Sequence, residues 1–156
     1  GRMERLKGTG GINVIIDYAH TPDSLENALR TLRAVYGGKL ITVFGCGGDR
    51  DRDKRPQMGR TACEFSDFVF ITSDNPRTEN PEEIINDITN GLDKEKYFKI
   101  TDRTLAIKSA LYSAQKGDTV LIAGKGHEKY QILGTQKIYF NEREIVKKLL
   151  EDKARF

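Results

Sequence analysis

Short unbroken apolar runs alternate along this chain with longer stretches whose apolar residues recur every three or four positions. Asn13 to Ile16, Leu40 to Phe44, Phe68 to Ile71, Tyr97 to Ile100 and Thr119 to Ala123 are too short for helices and read as buried strands. The stretches between them carry helix signals. Thr21-Pro22 places a hydroxyl at an N-cap and a proline at the first helical position. Leu25, Ala28, Leu29, Leu32 and Val35 then follow on one face until Gly37-Gly38. A second helix is expected from about Pro56 to Phe65. Asn80-Pro81 with Glu83 predicts a third, opened by a capping box and continued by Ile84, Ile85 and Ile88. Asp102 caps a fourth that runs to about Gln115.

Towards the C-terminus the order changes. Tyr130 to Leu133 and Lys137 to Phe140 flank Gly134-Thr135, which predicts a hairpin or short antiparallel return. Asn141 and Glu144 repeat the capping-box pattern before a last helix with Ile145, Val146, Leu149 and Leu150 inward. Apolar strands separated by amphipathic helices predict a sheet covered on both faces. The fold class expected is α/β: a Rossmann-like three-layer domain with a mostly parallel sheet and an antiparallel strand or hairpin near the C-terminus. No repeat or low-complexity linker divides the 156 residues, so residues 1–156 are expected to form one domain.

Composition narrows the function classes. The chain is 37% hydrophobic and 31% charged, as a globular domain is, and no apolar run approaches the ~20 residues of a membrane span. Its 26 basic and 23 acidic residues are well mixed, and a net charge of +3 is too slight to argue for nucleic acid. Neither nucleic acid nor membrane is therefore an expected partner. Cys46 and Cys63 lack metal or redox spacing and read as reduced cytosolic thiols. With only His20 and His127, a histidine-rich metal site is not expected. The chain opens on Gly1-Arg2-Met3-Glu4 without an initiator methionine, which reads as a piece of something longer.

In open α/β sheets, ligands sit beyond the carboxyl ends of the strands. Four loops with unusual polar residues leave such ends: Asp17 to His20, Gly45 to Arg55, Ser73 to Arg77 and Gly124 to Glu128. Asp74-Asn75-Pro76-Arg77 makes a stiff turn, because Pro76 fixes its own φ and restricts Asn75. Arg77 then holds five donors at a sheet edge, where they can fork onto a carboxylate or phosphate. Plain structural accounts stand beside these. Asp17 could end a strand and bond the Thr21 turn, and Asp49 to Arg55 reads as a solvated, self-paired face. Gly45, Gly47 and Gly48 would let backbone approach a ligand closely. Gly124-Lys125-Gly126 could cradle phosphate, but lacks the Gly-x4-Gly-Lys-Ser/Thr spacing. The residues alone point to a small zwitterionic or anionic ligand without naming it.

Taken in order, Gly1-Arg2-Met3-Glu4, Asp17-Tyr18-Ala19-His20-Thr21-Pro22, Gly45-Cys46-Gly47-Gly48-Asp49-Arg50, Asp74-Asn75-Pro76-Arg77 and Gly124-Lys125-Gly126-His127-Glu128 resemble the C-terminal domain of Mur ligases. The match is to the members that add the third residue of the peptidoglycan stem peptide. That resemblance implies three domains in the full enzyme, with the UDP-sugar and central ATPase domains absent from this chain. It implies ATP-dependent amide formation in the cytoplasm, through an acyl phosphate of UDP-MurNAc-L-Ala-D-Glu. ATP and Mg2+ would be bound mainly by the central domain. The Asp-Asn-Pro-Arg form implies meso-diaminopimelate as the incoming amino acid. Its site residues would be Arg50, Asp74, Asn75, Pro76, Arg77, Gly124 and Glu128. Arg2, Asp17 and His20 would approach the nucleotide, and no catalytic or metal-ligating residue is assigned. A lysine-adding homologue, a folylpolyglutamate-type ligase and a non-catalytic amino-acid-binding module are the alternatives.

Overall fold

Alternate residues of each central strand face opposite layers. Ile15, Phe44, Val69, Ile71, Leu121 and Ala123 pack into one apolar core, and Val14, Ile16, Ile41, Val43, Phe70, Val120 and Ile122 into another. Strands that are apolar on both faces need helices on both faces. The computed structural model, which describes residues 3–6 and 10–155, has that arrangement. A six-stranded sheet runs β1 (Glu4–Arg5), β2 (Asn13–Asp17), β6 (Thr119–Ala123), β3 (Leu40–Phe44), β4 (Phe68–Ile71), β5 (Tyr97–Lys99). β1 is antiparallel to β2, and every other pairing is parallel.

Helices α1 (Pro22–Val35), α2 (Lys54–Phe65) and α3 (Pro81–Thr89) cover the first core, while α4 (Arg103–Ser113) and α5 (Glu142–Ala154) cover the second. The chain steps outward from β2 to β5, then returns through α4 to insert β6 between β2 and β3. That reversal gathers the exits of β2, β6, β3 and β4 side by side at one edge, where the site lies. The hairpin β7 (Tyr130–Leu133) and β8 (Gln136–Tyr139) forms a separate two-stranded sheet, turning at Gly134 with φ 62°.

Several local expectations are corrected. The β1 strand was not foreseen, since two residues are too few to carry a pattern. α2 begins two residues before Pro56, which the first turn tolerates because its N–H groups have no helical partner. α4 stops at Ser113, and the N–H of Gln115 instead donates to Asp118 Oδ2 at 2.9 Å. Neither asparagine capping box closes. The Asn80 side chain accepts from Glu82 N, leaving Glu83 exposed in the first turn. Asn141 accepts from Glu144 N, but the Glu144 carboxylate takes the Tyr139 hydroxyl at 2.9 Å. The reciprocal box forms at Thr21, with Ser24 in the returning role. Among the described residues, no helix is long and apolar enough to cross a membrane.

Candidate functional site

The exits of β2, β3, β4 and β6 enclose a cavity of about 400 Å3. Of the residues singled out in the sequence, Arg50, Asp74, Asn75, Arg77, Gly124, Glu128 and His20 line it. Pro76 does not; it is buried behind the turn, its carbonyl accepting from Glu79 N at 3.0 Å. Asp17 does not either. Its carboxylate accepts the N–H of Ala19 at 2.9 Å and so closes its own loop, close to the plain structural account. Arg2 lies outside the described residues.

The turn that carries Arg77 is held on three sides. Arg77 adopts φ 52°, one of two positive values outside glycine among the described residues; the other is Asp49 at φ 54°. Left-handed backbone at such residues is uncommon and persists where surrounding contacts over-determine it. Here, Arg77 N donates to Ile132 O at 3.2 Å, and Gly134 N donates to Arg77 O at 2.8 Å, pinning the turn to the hairpin. Asp49 reaches across from the β3 loop, its carboxylate accepting from the Thr78 hydroxyl and N–H. Arg77 Nη1 donates to Gly48 O at 3.0 Å, which leaves the other guanidinium donors for the cavity.

Two glycines of the β3 loop make room for the neighbouring turn. A Cβ on Gly48 would stand 1.9 Å from Pro76 O, and one on Gly45 would stand 2.2 Å from Thr72 O. The close approach that Gly45 and Gly48 permit is that of the neighbouring turn, while Gly47 lines the cavity.

The charged loop also departs from a solvated, self-paired face at its end. Arg55 is fully buried and donates to Glu79, Asp87 and the Gly47 carbonyl. The Arg55 guanidinium, with help from the Asp49 N–H, holds the Glu79 carboxyl down to about 2. The pattern gave no warning of this, because an arginine in a run of charges is usually exposed. Lys54 and Asp51 were also missed. Both line the cavity, and Lys54 Nζ donates to His20 O at 2.9 Å.

Three cations (Arg50, Lys54, Arg77) thus face three carboxylates (Asp51, Asp74, Glu128) around one cavity. That suits a ligand bearing both carboxylate and ammonium groups. His20 donates from Nδ1 to the Tyr18 carbonyl at 2.9 Å, so a neutral ring presents Nε2 as an acceptor. Cys46 and Cys63 are free, and burial pushes the Cys46 thiol up to about 12, which removes it as a nucleophile. Among the described residues, no group of three or more histidines, cysteines or carboxylates could hold a metal ion.

A family model described as "Mur ligase, glutamate ligase domain" matches residues 1–126. The chain belongs to this Mur ligase family. A UDP-N-acetylmuramoyl-L-alanyl-D-glutamate–2,6-diaminopimelate ligase of Trichormus variabilis is 55% identical over 99% of this chain and 32% of its own length. The Clostridium tetani protein of the same name is 56% identical over 91% of this chain and 29% of its own. A solved structure of a diaminopimelate ligase of that name superposes with a TM-score of 0.93 at 43% identity, covering 99% of this chain and 32% of that one. The chain spans about a third of the length of the Mur ligase relatives it matches. The match to that structure agrees with the α/β architecture, including the hairpin that pins the Arg77 turn.

Proposed function

We propose that this chain is the amino-acid-binding domain of an ATP-dependent ligase that joins meso-diaminopimelate to UDP-MurNAc-L-Ala-D-Glu in peptidoglycan precursor synthesis. The observation that carries this reading is the cavity with Arg50 and Arg77 set against Asp74 and Glu128. Diaminopimelate is lysine with a second carboxylate at its far end, so a site that selects it needs a cation where lysine offers no anion. Arg77 supplies that cation on a stiff turn, with donors free for a charge-assisted pair. Glu128 and Asp74 receive ammonium groups, and the Gly124 backbone, at φ 114°, forms part of the same wall. The relatives' printed names support this choice of substrate.

ATP, when bound, supplies the phosphoryl group that activates the D-glutamate carboxylate. This chain's share is to hold the attacking amine in line and to exclude water from the acyl phosphate as the domains close. His20, which lines the cavity, approaches the nucleotide in this reading. Asp17 acts through the loop it closes, and Arg2 completes the set. Mg2+ would be held mainly by the central domain of the ligase. The working compartment is the cytoplasm, and the isolated domain is catalytically silent.

Amide formation by the ligase that carries this chain, titrated with meso-diaminopimelate and with L-lysine, tests the reading. Truncating one partner of a buried charge pair costs about 2–5 kcal/mol, and about 1.4 kcal/mol is tenfold in affinity. Arg77→Ala is therefore expected to raise KM for diaminopimelate at least tenfold. A wild-type preference for lysine, or unchanged kinetics in Arg77→Ala, would refute the substrate.

A further inference from the structure

Lys125 lies between two site residues in sequence space, one beside it and one three positions on, yet it does not line the cavity. Its side chain is fully buried. The ammonium sits 2.8 Å from Asp74 Oδ1, donates to Asn75 Oδ1 at 2.9 Å and to the Tyr130 carbonyl at 3.1 Å, and lies 3.9 Å from Glu128 Oε1. One buried cation therefore touches three side chains that line the cavity: Asp74, Asn75 and Glu128. A phosphate cradle is excluded for this lysine, since no face of it reaches solvent.

We propose that Lys125 is a positioning residue that sets the polarity of the amino-acid site, an inference that rests on the function proposed above. Asn75 Oδ1 accepts from two donors, Lys125 Nζ and the N–H of Ile132 at 2.9 Å. Two donors on one atom require it to be oxygen, so the Asn75 amide group is left to point NH2 donors elsewhere. Lys125 likewise occupies one oxygen of Asp74 and leaves Oδ2, which lies 3.8 Å from where a Cβ of Gly124 would stand. Without the ammonium, only the Ile132 N–H holds the Asn75 oxygen in place, and two carboxylates lose the cation between them.

A second buried cation fixes the roots of the same two loops. Arg103 donates to the carbonyls of Ser73 and Ala123, the last residues before Asp74 and Gly124. These strand exits are not neighbours in the sheet, because β3 lies between them. Arg103 holds their bases at a set spacing, and Lys125 fixes what their tips present.

The test is a mutant cycle in the ligase that carries this chain, with wild type, Lys125→Met, Asn75→Ala and the double variant. Lys125→Met is expected to raise KM for meso-diaminopimelate at least tenfold, with KM for ATP within twofold and kcat within threefold of wild type. The double variant should fall short of the product of the two single effects, because both act in part through the same amide. Unchanged KM in Lys125→Met, multiplied effects in the double variant, or equal loss for all substrates would overturn the assignment. If Lys125→Met fails to fold, Lys125→Gln keeps donors for Asp74 and Asn75 and is judged on the same numbers. Failure of both to fold would make the lysine a folding element and also overturn it. If the wild type prefers another amino acid, the substrate reading fails alone, and the cycle is run and judged with the preferred one.

Discussion

The two edges of the sheet solve the same problem in opposite ways. At the amino edge, short carboxylates cap backbone N–H groups. Asp67 Oδ2 accepts from Leu40 N at 2.7 Å, while the two oxygens of Asp118 accept from Lys39 N and Gln115 N. Glycine takes the positive φ there, as at Gly117 with φ 92°. At the carboxyl edge, long cations reach under the loops to satisfy carbonyls. Arg55, Arg103 and Lys125, each with a fully buried side chain, donate to Gly47, Ser73, Ala123 and Tyr130 oxygens between them. There, positive φ falls on Asp49 and Arg77 as well as on Gly124 and Gly126.

The difference separates holding the fold from working. The amino edge is held by short carboxylates shared between neighbouring turns. The carboxyl edge keeps a strained turn open around a cavity, and that requires buried charge whose removal leaves its partners uncompensated.

Four measurements break or sharpen this contrast. The largest effect is expected at Glu142, which is buried and accepts from Arg103 Nε at 2.7 Å. Glu142→Ala leaves a buried arginine unpaired and should cost about 3–5 kcal/mol in equilibrium unfolding. A loss under 1 kcal/mol would show that the carboxyl edge does not depend on buried charge. Asp118→Ala removes two backbone bonds from the other edge and should cost about 1–3 kcal/mol, with substrate KM unchanged. A raised KM there would end the separation of the edges.

Acid should act on the working edge through Glu79. Its carboxyl is lowered from 4.5 to about 2, so an unfolded chain binds the proton first. The stability from the Arg55–Glu79 pair is present above about 4.5 and is lost as pH falls towards about 2. Glu79→Gln should flatten that part of an acid-unfolding curve, and an unaltered curve would contradict the linkage. The smallest change in stability is expected for Arg77→Gly. Relief of left-handed strain, about 1 kcal/mol, offsets the lost bond to Gly48 O, so the melting temperature barely moves while KM for diaminopimelate rises at least tenfold. A large melting shift would assign Arg77 to the fold rather than the ligand.

Strand runs, helix faces and the Thr21 and Asp102 caps were legible in the sequence because each depends on residues a few positions apart. So were the four loops of the site, since the ends of parallel strands are fixed once the strands are. What escaped was pairing over distance. Arg55 meets Glu79 and Asp87 across 24 and 32 residues, Arg103 meets Glu142 across 39, and Lys125 meets Asn75 across 50. Nothing local distinguishes these cations from exposed Arg52 or Lys129.

By itself, then, the sequence determined an α/β sheet with covered faces, and which loops would gather at one edge. Only the tertiary structure decided that Asp17 turns inward, that Gly45 and Gly48 make room for the Arg77 turn, and which cations serve a ligand. Strand and helix periodicity is local. The fate of a charge depends on what desolvates and pairs it, and those groups arrive from distant parts of the chain.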